Sequence, residues 1–172
     1  MRKKIPDFRI NVNVTALQLQ REEFVDQLLQ LLREKDYPPD GMVIELTERC
    51  KELDTDMLSS ACARIRENGF RMAFDDMGTG YSTFNLLMNI PVDEINLDHD
   101  FVMGLKDNRA YRIFVEALQR GGADRRYEIC FEGIENEQML EDIRTFGDSM
   151  SQGYYFSMPI PAEDFIRIYG SL

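Results

Sequence analysis

Short apolar runs and amphipathic stretches take turns along this chain six times in a row, and that alternation limits the fold more than any other feature. FRINVNV (8–14), MVIELTE (42–48), FRMAFDD (70–76), DEINLD (93–98), YEICFEG (127–133) and SQGYYF (151–156) read as strands. Between the first two, residues 22–35 set Phe24, Val25, Leu28, Leu29 and Leu32 on one helical face, and Pro38-Pro39 breaks the run. Residues 54–68 repeat the pattern with Met57, Leu58, Ala61, Cys62 and Ile65, ending at Gly69. Further helices are expected over 81–89, over 107–120 with Gly121-Gly122 as a stop, after the capping residue Asn136, and from near Ala162 after Pro161. Serial strand–helix units imply a parallel sheet with right-handed crossovers. Two architectures fit: an open doubly wound sheet, or a (β/α) barrel, which normally takes eight units and roughly 250 residues. With six units in 172 residues, a barrel built from this chain is two units short. No linker or composition shift divides the chain, so residues 1–172 read as a single domain.

Charge and cysteine content narrow the function classes. The net charge is −11, so the chain lacks the basic excess of a general nucleic-acid binder. An anionic ligand must be met locally, by metal ions or a few placed side chains. Cys50, Cys62 and Cys130 match neither a disulfide framework nor a zinc pattern. They read as reduced thiols of a cytoplasmic protein. No apolar run approaches a membrane span, and MRKKIPDFRI lacks the apolar segment of a signal peptide. The single histidine, His99, excludes His-rich metal sites.

Polar residues at the strand ends discriminate between the two architectures. The first strand carries Asn11 and Asn13, the second Glu45 and Glu48, the third Asp75 and Asp76. The fourth carries Asn96 and Asp98, the fifth Glu132 with Glu135 just beyond, and the sixth Gln152. Active sites of parallel α/β proteins lie where strands end and loops begin. A ring of such residues from every strand suits a closed barrel, whose strand ends converge on one mouth. The donors are almost all oxygen, which selects hard cations such as Mg²⁺ or Mn²⁺. Adjacent aspartates suit two-metal phosphoryl chemistry, one carboxylate shared and one on the second ion. Simpler readings exist for each residue. Asn13 can satisfy a strand end, Glu48 can be a solvated loop residue, and one aspartate of the pair can cap a helix. The coincidence across six strands is what argues against them.

Those same residues carry a recognisable pattern. NVNVTALQL, VIELTE, FDDMGTGYSTFNLL, IPVDEINLDHDFV, FEGIENEQML and QGYYFSMPIPAEDF resemble, in order and spacing, the EAL-domain family of bacterial cyclic-di-GMP phosphodiesterases. The resemblance runs from about Phe8 to Phe165. It implies a modified (β/α) TIM-like barrel, here incomplete with about six units. It also implies a two-ion Mg²⁺ or Mn²⁺ site and hydrolysis of cyclic-di-GMP to linear pGpG. By the same resemblance Asn13, Glu45, Asp75 and Asp76 match metal ligands, and Glu132 matches an acid serving the second ion. Glu48 props the loop of Gly78, Thr79 and Gly80, and Asp98, Glu135 and Gln152 line the substrate and water site.

Three departures from the family pattern set the expectations for function. The Glu-Ala-Leu strand that names the family should precede NVNVTALQL, where this chain has only a few residues. The literal Glu116-Ala117-Leu118 lies in a predicted helix after the aspartate pair and is a decoy. The family's fourth-strand lysine, which orients or activates the attacking water, is Asn96, and an amide supplies neither proton transfer nor charge near neutral pH. The basic residue often found before the proline of the FSMP-like segment is Met158. The chain is therefore expected to be a signalling domain impaired in hydrolysis, acting in nucleotide binding or protein interaction. The alternatives are an active phosphodiesterase and an idle structural fragment. Unpaired edges at the seam of a six-unit barrel predict a homodimer or swapped assembly. Family members often carry a GGDEF-type cyclase or a sensory domain as partner.

Overall fold

The computed structural model describes residues 8–47, 54–77, 87, 89–125 and 127–170. Six parallel strands follow one another in space as they do in sequence: β1 (Ile10–Val14), β2 (Met42–Leu46), β3 (Arg71–Met77), β4 (Glu94–Leu97), β5 (Glu128–Phe131) and β6 (Met150–Ser151). This order has no reversal, and a doubly wound sheet requires one. Right-handed crossovers in an unreversed order put every helix on the same face. The helices are α1 (Ala16–Leu19), α2 (Phe24–Glu34), α3 (Thr55–Glu67), α4 (His99–Gly104), α5 (Arg109–Arg125), α6 (Glu137–Arg144) and α7 (Ala162–Tyr169). The core lies between sheet and helices. Ile44, Leu46, Met72, Phe74, Ile95, Leu97, Ile129 and Phe131 meet Val25, Leu32, Leu58, Ile65, Val115, Leu118 and Ile143. Each fully buried aliphatic or aromatic side chain contributes about 1.5–3 kcal/mol.

Side chains on the other face show that the sheet is rolled. Arg9, just before β1, places Nη1 at 3.1 Å from Oε2 of Glu128 at the start of β5. Four strand spacings across a flat sheet amount to roughly 19 Å, beyond the reach of that pair. Asn11 on β1 likewise sets Nδ2 at 3.4 Å from Oε1 of Glu94 on β4. Phe8 packs against Phe165 of α7 with ring centroids 5.7 Å apart. The sheet is thus a trough whose concave face is the interior of a partial barrel, as its polar strand ends implied. Among the described residues β1 and β6 each pair on one side only.

Local signals explain most element ends. Asp54 Oδ1 accepts from the backbone N–H of Asp56 at 3.0 Å and of Met57 at 3.4 Å, capping α3. Gly69, at φ +86°, ends the turn beyond that helix. Two expectations are corrected. The helix expected to stop at Gly121-Gly122 runs on to Arg125 as α5. A Cβ on Gly121 would sit 3.0 Å from the Tyr127 hydroxyl, so this glycine makes room rather than a break. That hydroxyl donates to the Leu118 carbonyl at 2.6 Å. The strand expected over 151–156 shrinks to Met150–Ser151, and the residues after it form a turn. Gly153, at φ +154°, lies so close to Ile134 that a Cβ would fall 2.3 Å from its nitrogen. The chain here is clamped to the β5–α6 loop by Ile134 N–H to Gln152 O at 3.0 Å and Tyr155 N–H to Ile134 O at 2.9 Å. Glu116-Ala117-Leu118 sits inside α5, with Leu118 in the core, as its helical setting required.

Replacing Tyr127 by phenylalanine removes the buried bond that ties β5 to α5. The variant is expected to lose about 1 kcal/mol of stability, read as a lower urea midpoint with unchanged slope.

Candidate functional site

Alternation along each strand sends one set of side chains into the core and the other into the trough. The trough set is Asn11 and Asn13, Glu45, Asp75, Glu94 and Asn96, then Glu128, Cys130 and Glu132. Val43, Ala73 and Cys130 are buried on this side, outside the cluster that packs against the helices.

The aspartate pair breaks the alternation. Met72 and Phe74 point into the core, and the next core residue is Met77 rather than residue 76. The β3–β4 register jumps accordingly: Phe74 faces Ile95 and Met77 faces Leu97, so Asp75 and Asp76 together oppose Asn96. This is a two-against-one bulge. Asp76 takes the left-handed conformation at φ +55°, and its N–H donates to Asp75 Oδ1 at 3.0 Å. The bulge is what lets two successive carboxylates serve the same side of a strand.

Hydrogen bonds connect the trough into one network. Glu45 Oε1 accepts from Asn11 Nδ2 at 2.8 Å and from Asn96 Nδ2 at 3.0 Å. Asn96 is 1% exposed, and its Oδ1 has no hydrogen-bond partner. Asn13 stands opposite Glu45 in the β1–β2 register and is solvent-exposed. Gln152 Nε2 donates to Glu132 Oε1 at 2.6 Å. Asp98 accepts from the Phe101 N–H at 2.9 Å and caps α4 while half-buried at the mouth. A cleft of ≈ 860 Å³ opens there, lined by Asp76, Asp98, Glu132, Glu135, Gln152 and Met158 among others. His99 lines it too, its Nδ1 3.0 Å from the Gly133 carbonyl oxygen. A Cβ on Gly133 would strike the His99 ring at 2.6 Å, and the glycine is at φ +69°.

Crowded acids raise one another's pKa. Asp75 lies above the usual carboxylate range through burial and the nearby Glu45, opposed by the Asp76 N–H and the Asn96 amide. Glu94 is raised mainly by burial. Glu132 is pushed up to about 7, first by burial and then by Asp75, Glu45, Asp76 and Glu94. Burial and the same acids push the Cys130 thiol far up, so it stays protonated and unreactive.

Among the described residues no three His, Cys, Asp or Glu side chains already converge on an ion position. The donor set nevertheless fits a hard cation. It is oxygen-rich, its carboxylates repel one another, and a buried amide oxygen beside them lacks a partner. Of the residues singled out from the sequence, Glu45, Asp75, Asp76, Asn96 and Glu132 are brought together on the trough. Asp98, Glu135 and Gln152 line its mouth, while Glu48, Gly78, Thr79 and Gly80 lie outside the described residues. Asn11 and Glu94 emerge as members whose roles the sequence reading left unassigned. Their signal was the spacing of two, from Asn11 to Asn13 and from Glu94 to Asn96.

Protonation should be visible in stability. The folded protein keeps the Glu132 proton up to about pH 7, whereas the unfolded chain releases it near 4.5. Between those values the folded state binds more protons, so stability falls as pH rises through the window and levels off above it. Asp75 and Glu94, also raised, act with the same sign. Thermal melts in chelator are expected to give a lower Tm at pH 8 than at pH 5, and Glu132→Gln to flatten the fall.

Comparison with known proteins places this arrangement in a family. The EAL domain family matches residues 1–159. The cyclic di-GMP phosphodiesterase NbdA of Pseudomonas aeruginosa is 29% identical over 164 residues, covering 94% of this chain and 21% of NbdA. The structure of the EAL enzyme Bd1971 in its cAMP- and cyclic-di-GMP-bound form superposes with a TM-score of 0.87 at 27% identity, over 95% of this chain and 43% of that one. Klebsiella pneumoniae BlrP1 with manganese and cyclic-di-GMP gives a TM-score of 0.83 at 25% identity, over 92% of this chain and 41% of that one. The chain spans about a quarter of the length of the curated relatives it matches. Among its described residues no helix is long and apolar enough to cross a membrane. From the alternating strands through the acid-lined trough to these matches, the chain belongs to the EAL-domain family.

Proposed function

We propose that this chain is a cyclic-di-GMP-binding signalling domain whose hydrolytic step is weakened at Asn96. The observation that carries this reading is the buried amide itself. Asn96 opposes the aspartate pair, donates to Glu45 at 3.0 Å and is 1% exposed. A lysine at this point would bring a positive charge and a transferable proton into the ring, and an amide brings neither.

The remaining residues support binding. Asn13, Glu45, Asp75 and Asp76 would hold divalent ions, which when bound supply water activation and neutralise charge on a phosphodiester. Glu132, close to half-protonated at neutral pH, holds or moves a proton at its carboxyl oxygen, steadied by Gln152. The cleft is large enough for a nucleotide-sized ligand. Its aromatic and apolar wall, Tyr154, Met158, Phe165 and Tyr169, suits the faces of bases. A cytoplasmic setting and self-association through the β1 and β6 edges belong to the same proposal. The second is read as a dimer mass in light scattering, and a monomer would overturn it.

Calorimetry with cyclic-di-GMP plus Mg²⁺, Mn²⁺ or Ca²⁺, beside a turnover assay, tests the reading. Metal-dependent binding is expected with little conversion to the linear dinucleotide. Asn96→Lys is expected to raise turnover by about a hundredfold or more, the scale of positioned proton transfer. Brisk turnover by the unaltered chain would instead favour an active phosphodiesterase. Absence of binding would leave protein interaction as its role.

A further inference from the structure

We propose that Asn96 is itself a metal-binding residue, its Oδ1 serving as an additional oxygen donor to a divalent cation held by Glu45 and the Asp75–Asp76 pair. This rests on reading those acids as cation ligands, and it concerns the ion rather than the dinucleotide.

Three independent observations converge on the residue. The bulge in β3 sets both aspartates against Asn96, so it stands across from the pair in the strand register. Its Nδ2 is already committed to the ring, 3.0 Å from Glu45 Oε1. Its Oδ1 is buried and unpaired. Buried polar atoms are nearly always satisfied, and an orphan inside an otherwise bonded network asks for a partner that the chain does not supply.

The two ends of the carboxamide explain the orphan. Without a cation, only the nitrogen can face the carboxylates, because an amide oxygen there would meet like partial charge. With a cation in the ring, the preference reverses. A half-turn about the terminal torsion exchanges Nδ2 and Oδ1, keeps the side chain in its space and presents a carbonyl oxygen to the ion. Amide carbonyls and carboxylates together are the ligand set of hard divalent cations. Glu45 would not be released by the flip, since Asn11 Nδ2 holds the same Oε1 at 2.8 Å. A lysine in place of Asn96 would oppose the ion by its charge, whereas the asparagine adds to its coordination. On this account the substitution trades proton transfer for retention of the ion.

The test is Mn²⁺ binding to chelator-stripped protein without dinucleotide, followed by calorimetry. Asn96→Leu removes both oxygen and nitrogen, and is expected to weaken binding about tenfold or more, the scale at which metal-site residues act. Asn96→Asp keeps an oxygen but loses the donor, and is expected to bind at least as tightly as the unaltered chain. Unchanged affinity in Asn96→Leu would overturn the proposal. So would an equal loss in Asn96→Asp, which would mean that only the Nδ2 bond to Glu45 matters. A side-chain amide spectrum recorded during Mg²⁺ titration covers the case in which Asn96→Leu fails to fold. The Asn96 NH₂ pair should move strongly as Nδ2 leaves Glu45, and a pair that stays in place, or protein that takes up no ion, defeats the idea. Failure to bind cyclic-di-GMP would count against the proposed function and leave this result standing.

Discussion

Glu45 is the point on which the rest of the trough turns. One of its oxygens takes amide protons from Asn11 on β1 and Asn96 on β4, strands that a flat sheet would hold three spacings apart. The bond therefore reports the curl of the sheet and also depends on it. A buried carboxylate without such partners would be a large penalty. With them it becomes an anchored ligand, and anchoring is what keeps Asp75, Glu94 and Glu132 close enough to raise one another's pKa. Fold and site share one constraint: like charges are tolerated on the concave face because the convex face is packed with Ile44, Leu46, Met72, Phe74 and Phe131.

The order of strands and the polar ends of each were legible because both are periodic. Helical faces such as Val25 and Leu32 repeat near every 3.6 residues, and trough residues such as Glu94 and Asn96 repeat every two. What escaped reading has no period. Nothing in FRMAFDD announces that Asp76 takes a positive φ. By strict alternation one aspartate would have faced the core. Gly121 looked like a stop because helix propensity is local, while its real constraint is the Tyr127 ring arriving from the next strand. SQGYYF has strand-like composition, yet Gly153 is pressed against the Ile134 backbone and turns the chain away after Ser151. In each case a contact distant in sequence overrode a local preference.

Family membership and activity separate cleanly here. Membership follows from the strand order, the acid ring and the match over residues 1–159. Activity depends on a single buried position, where an amide sits among carboxylates. A neutral side chain at the centre of an acid cluster relieves no repulsion, and the raised proton affinity of Glu132 shows that the repulsion persists. A cation is the natural remedy. The trough is thus better provided with groups that capture an ion than with groups that move protons at speed.

The bulge at Asp75–Asp76 has a bearing on how such a domain can change over generations. Because two residues of β3 oppose one of β4, loss of a single codon there would restore ordinary pairing and keep Met72, Phe74 and Met77 in the core. The scaffold would survive intact while the paired acids vanished. Inheritance of the architecture and inheritance of its chemistry are therefore decoupled at one amino acid, and a lineage can shed the second without risking the first.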